Sequence, residues 1–137
     1  MKNWLKLSIG LLFLLPQLVS SQVIINEIDS DTPGTDTMEF IELYDGGIGN
    51  TSLDGLVLVL FNGSDDASYR AFDLDGLSTG TQGFFVIGDT DVATADYKPG
   101  SFTIQNGADA IALYAANASD FPNDTPVTTT NLIDAIL

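Results

Sequence analysis

The chain has 137 residues, no cysteine and no histidine, and it carries 19 acidic against 4 basic residues, a formal net charge of −15. Without cysteine there is no disulfide framework, thiol nucleophile or zinc–thiolate cluster, and without histidine there is no Ser-His-Asp triad and no imidazole ligand. The length suits one domain, and a surface this negative repels phosphate backbones, because nucleic-acid affinity comes largely from Lys and Arg displacing counterions, so no direct nucleic-acid binding is expected.

The first 21 residues read as a secretory signal peptide. Lys2 and Lys6 supply the positive end, Leu7–Leu15 the apolar stretch, and Val19-Ser20-Ser21 the small residues before a cleavage site ahead of Gln22. The apolar run is about half of the ~20 residues a spanning helix needs. The protein is therefore expected to be exported, to the extracellular space or the cell surface, with no stable membrane span once the leader is removed. Residues 22–137 then form the domain. Of the four cations they keep Arg70 and Lys98 against all 19 acids, a formal charge of −17. That charge favours solubility and the capture of cations.

From Gln22 onward there is no helical period. Short apolar or alternating runs recur with turn residues between them. Val23–Ile28 is the first predicted strand and Met38–Tyr44 the second, with Phe40 read as facing inward. Leu53–Asn62 is the third. Its unbroken apolar run from Leu56 to Phe61 predicts a strand covered on both faces, or one crossing the middle of a sandwich. Ser68–Leu74 alternates, with Tyr69, Ala71 and Phe72 assigned inward. Phe84–Gly88 reads as a buried strand, Phe102–Ile104 as a short one and Ala110–Ala115 as another. Asn117–Thr130 is a long loop, and Leu132–Leu137 opens a last strand. Nothing repeats internally. Seven or eight short strands at this spacing predict an all-β, immunoglobulin-like β-sandwich with Greek-key connections. The chain ends within an apolar strand pattern, so the last strand is expected to be truncated and the domain to be the N-terminal part of a longer protein.

Six segments, in order, resemble the lamin tail domain family in its bacterial secreted form. Ile25-Asn26-Glu27-Ile28 is similar to that family's opening strand, and Glu39-Phe40-Ile41-Glu42-Leu43-Tyr44 to its second. Leu53-Asp54-Gly55 with Leu56–Phe61 resembles the third, although Leu56 stands where an aromatic is usual. Leu77–Gly88, Asn106–Tyr114 and Asn131–Ile136 resemble the remaining three. The resemblance runs through nearly all of residues 22–137. It implies an immunoglobulin-like sandwich and a non-catalytic accessory or binding module of exported proteins, in some cases beside extracellular nucleases or phosphodiesterases.

The densest chemistry lies between the first two predicted strands. Glu27, Asp29, Asp31, Asp36, Glu39, Glu42 and Asp45 put seven acids into nineteen residues, with no Lys or Arg among them. Asp29, Asp31, Asp36 and Glu39 resemble a D-x-D-x-x-G calcium loop, since hard oxygens on a Gly-turned loop suit Ca²⁺. The spacing departs from an EF-hand at Pro33 and at Glu39. The other reading of the same loop is a solvated hairpin whose Asp side chains cap turns. Glu39 and Glu42 are expected on opposite faces of their strand, which makes them a poor acid/base pair. Glu42, sharing a face with an inward Phe40, would take Arg70 as its partner; the other reading is an exposed Glu at the end of the sheet. Phe40, Phe61, Phe72, Phe84 and Phe85 read as core, with Tyr97 and Phe121 exposed in loops. The expected function is an exported, non-catalytic binding module for an unknown protein or cell-surface partner. The alternatives are the accessory domain of an extracellular nuclease or phosphodiesterase whose catalytic part lies beyond residue 137, and a calcium-dependent adhesion domain.

Overall fold

The computed structural model describes residues 22–31, 34, 37–100 and 102–137. The leader and Asp36 lie outside the described residues. Among the described residues seven strands form: β1 (Ile24–Asp29), β2 (Phe40–Tyr44), β3 (Leu56–Asn62), β4 (Ala67–Asp73), β5 (Phe84–Gly88), β6 (Ala110–Ala115) and β7 (Leu132–Ile136). They make two antiparallel sheets, one ordered β1-β2-β5 and the other β4-β3-β6-β7. The chain crosses between sheets after β2, β4 and β5, which is the immunoglobulin-like sandwich the strand spacing predicts. Phe102–Ile104, expected as a strand, belongs to neither sheet. Both Phe102 and Ile104 are nevertheless buried, so the segment plugs the core without joining a sheet.

The core lies between the sheets. Ile25, Ile41, Leu43, Phe85 and Ile87 come from one side, and Leu58, Leu60, Phe72, Ile111 and Leu113 from the other. The unbroken apolar run of β3 follows from a second cluster. Val57, Val59 and Phe61 face away from the main core and pack with Ala112, Tyr114 and Phe121. The segment after β6, with its short 3₁₀ turn Ala118–Asp120, lies over that face. Phe121, expected to be exposed, is thus a core residue at 6 % exposure. The Tyr114 hydroxyl donates to Thr128 O at 2.8 Å and the Ser68 hydroxyl to Pro122 O at 2.8 Å. Ser68 N donates to Thr125 O at 2.8 Å and Asp124 N to Ser68 O at 2.8 Å, so the same segment also covers the outer edge of β4 at its first residues. That part of the edge is closed to pairing with another chain.

In β4 a bulge opposite Leu60 and Phe61 shifts the alternation. A bulge puts two residues against one and changes which side follows. Tyr69 and Phe72 therefore both reach the main core, three residues apart, while Ala71 goes to the outer cluster. In β2 the phase is opposite to the expected one: Ile41 and Leu43 are fully buried, while Phe40 and Glu42 are half-buried on the outer side. The registers Ile41↔Ile87 and Leu43↔Phe85 fix this, since they bring apolar pairs together on the inner face.

One repeat does exist. The tetrapeptide Leu-Asp-Gly-Leu occurs at 53–56 and again at 74–77. Each copy is a turn closed by its own Leu-to-Leu bond, with Leu56 N donating to Leu53 O and Leu77 N to Leu74 O. The third-place glycines, Gly55 and Gly76, have φ of 74° and 78°, which is why glycine stands there. The two turns clasp each other reciprocally. Leu53 N donates to Leu77 O and Leu74 N to Leu56 O. Gly55 N donates to Asp75 Oδ1 and Gly76 N to Asp54 Oδ1, both at 2.6 Å. The clasp fixes where β3 begins and β4 ends, and it drives Leu53 and Leu74 into the core.

Candidate binding face

Two carboxylates that drew attention in the sequence turn out to be internal fasteners. Glu39 precedes β2 on the inner side and is 1 % exposed. Its Oε2 accepts from Ile104 N at 2.9 Å and so holds the 102–104 segment in place. Asp29 ends β1 opposite Phe40, and Asp31 is exposed in the loop beyond. Among the described residues no group of three or more acidic side chains is placed to hold a metal ion.

Asp45 is the most heavily bonded acid. It follows β2, is fully buried, and accepts from Gly47 N, Ile48 N and Gly49 N at 3.0 Å each. The hydroxyls of Thr51 and Thr79 donate to it at 2.6 and 2.7 Å. Burial alone pushes its pKa up, but the hydroxyls and amides together outweigh it and hold the carboxyl below its ordinary value of 3.8. A saturated, ionised carboxylate is a poor proton acceptor. Asp45 instead pins the 46–52 loop against the 77–83 loop. Gly83, at φ 90°, passes so close that a Cβ there would sit 2.1 Å from Asp45 Oδ1.

The outward face of the three-stranded sheet is different. Ile24, Tyr44 and Phe84 stand opposite one another across β1, β2 and β5 and form a row. The Tyr44 and Phe84 rings stack with centroids 4.6 Å apart at 25°. Ile24 and Phe84 are each 37 % exposed. The adjacent row holds Glu27, Glu42 and Val86. Glu42 pairs with Asn26, whose Nδ2 donates to Oε1 at 2.7 Å, and not with Arg70, which lies on the other sheet. Beyond β5 the chain folds back along the strand edge, where Asp96 N and Tyr97 N donate to Val86 O and Val86 N donates to Asp96 Oδ2 at 2.8 Å. Tyr97, expected to be exposed, is half-buried against the core as a result.

Between Phe84 and this returning segment lies a shallow depression of about 350 Å³, bordered by Glu42, Thr81, Gln82, Phe84, Val86 and Asp96. Among the described residues no Lys or Arg lines it. The sequence reading placed Phe84 and Phe40 in the core and so missed this face. The pair Phe84-Phe85 carried the signal, because successive side chains of a strand point to opposite sides and one of two adjacent rings must lie outside the core.

A scan against protein-family models matches no family. A search of curated proteins finds no match either.

Proposed function

We propose that this chain is an exported, non-catalytic binding module of the lamin-tail type that engages its partner through the outward face of the three-stranded sheet. The ordered run of six family-like segments and the immunoglobulin-like sandwich support the family reading. The observation that carries the binding reading is the Ile24–Tyr44–Phe84 row, an apolar and aromatic stripe across three strands of a strongly acidic domain. Aromatic side chains at the surface give large contact area at low entropic cost, which is why they are enriched in interfaces. The best-enclosed carboxylates, Glu39 and Asp45, are committed to holding the scaffold.

The test is an array of defined peptides and glycans probed with the purified chain and with its Tyr44→Ser/Phe84→Ser variant. The reading requires at least one probe class that the parent binds and the variant loses, with the variant's thermal midpoint close to the parent's. If no probe is bound in a manner that depends on Tyr44 and Phe84, or if the purified chain hydrolyses glycoside, ester or phosphodiester substrates, the proposal fails.

A further inference from the structure

We propose that the depression beside Phe84 receives a lysine or arginine side chain from an extended polypeptide partner, with the Ile24–Tyr44–Phe84 row taking the partner's neighbouring apolar residues. This rests on the binding-face reading above and specifies its partner.

The argument is one of charge complementarity on an apolar face. Glu42 and Asp96 both border the depression and both adjoin Val86, Glu42 as its cross-strand partner and Asp96 through the Val86 N–H; Asn26 Nδ2 donates to Glu42 Oε1 and Val86 N to Asp96 Oδ2. Among the described residues nothing donates to Glu42 Oε2 or to Asp96 Oδ1. Glu27 lies directly opposite Glu42 in the β1–β2 register and adds to the negative potential. Covering this face with a neutral partner would desolvate like charges without compensation, which is costly. A cationic side chain relieves that cost. Its alkyl stem lies along Val86 and the exposed Phe84 ring, and its head meets the two carboxylates. An extended segment suits a flat sheet face because alternate side chains point the same way, one set to the sheet and one to water.

The probe is a five-residue peptide alternating lysine and valine, blocked at both ends, titrated into the full chain. Binding is followed through the backbone amide signals of Val86, Phe84 and Glu42. The Glu42→Gln/Asp96→Asn variant keeps the shapes and the amide contacts but removes both charges. Its affinity is expected to fall about tenfold. The Asp65→Asn/Asp66→Asn variant removes the same charge from the distant β3–β4 turn and is expected to bind as the parent does. Equal loss in both variants, or shifts scattered over the whole surface, would mean non-specific attraction and overturns the proposal. Failure of the parent to bind the peptide also overturns it. If neutral oligosaccharides instead bind the Tyr44–Phe84 row and the charge-removed variant binds them equally well, the cationic partner is refuted while the binding face stands.

Discussion

Asp45 is the residue whose removal tests the scaffold most sharply. Its carboxylate takes three amide and two hydroxyl donors from two loops that meet at one end of the sandwich. Hydrogen bonds to a charged acceptor contribute about 1.5–3 kcal/mol each, net of the exchange with water. Gly47 and Ile48 are exposed, so water replaces the carboxylate there at small cost. Gly49 and Thr51 are half-buried, and Thr79 is 2 % exposed. Leaving those three enclosed donors without their acceptor costs about 1–2 kcal/mol apiece, so Asp45→Ala should destabilise the domain by about 4 kcal/mol. Asp45→Asn keeps the volume and one acceptor oxygen. The threonine hydroxyls can turn to accept from the new amide while the Gly49 N–H opposes it, so about 2 kcal/mol is expected. Against a total stability of roughly 5–15 kcal/mol, the alanine variant should lose a large share, some 15–20 °C in thermal midpoint. Urea titration followed by circular dichroism measures both. The pH dependence gives an independent check. The folded carboxyl has a pKa below its ordinary 3.8, so its contribution is complete above that value and is lost as the pH falls toward the folded-state pKa. The gap between parent and Asp45→Asn should therefore be widest at neutral pH and close on acidification. If both variants lie within about 0.5 kcal/mol of the parent at pH 7, the range of an ordinary surface substitution, the account of Asp45 is wrong.

Four further outcomes follow from the same geometry. Gly83→Ala should cost about 3 kcal/mol or more, since its Cβ meets Asp45 Oδ1 and the Gly47 backbone at 2.1 and 2.9 Å at φ 90°. Gly76→Ala, at φ 78° with nothing within 4 Å, should cost only the ~1–2 kcal/mol of a left-handed residue; urea midpoints that rank the two the other way would refute the steric account. Val59→Asp should be as damaging as a substitution in the main core, about 4 kcal/mol or more, because Val59 is fully buried beneath the 116–130 segment; a soluble variant of near-parental thermal midpoint would show that the outer cluster is not a core. Asp134 accepts from Ile25 N at 2.9 Å and from Ala135 N at 3.0 Å, joining β1 to β7 across the open side of the sandwich, so Asp134→Ala should speed hydrogen exchange at both amides while leaving that of Leu58 unchanged. Millimolar Ca²⁺ should leave the thermal midpoint unchanged, because Glu39 is turned into the core to hold Ile104 N; a clear calcium-dependent rise would support the loop reading.

The architecture was written in the chain at the level of local pattern. Short alternating runs, glycine and Asx turns, and the absence of any helical period dictate an all-β fold, and the unbroken run from Leu56 to Phe61 announced a strand enclosed on both sides. These are properties of one segment at a time, and a segment's own residues determine them. Which face of β2 turns inward, by contrast, was settled by pairing. Met38–Tyr44 alternates acceptably in either phase, and only the register against Phe85 and Ile87 selects Ile41 and Leu43 for the core. That choice sends Phe40, Glu42 and Tyr44 outward and so creates the candidate binding face. The bulge in β4, the mutual clasp of the two Leu-Asp-Gly-Leu turns and the five-donor cradle of Asp45 likewise join residues from 2 to 34 positions apart. A hydrogen bond or a packed ring belongs to the pair that makes it, and the pair exists only once the two layers have closed on each other.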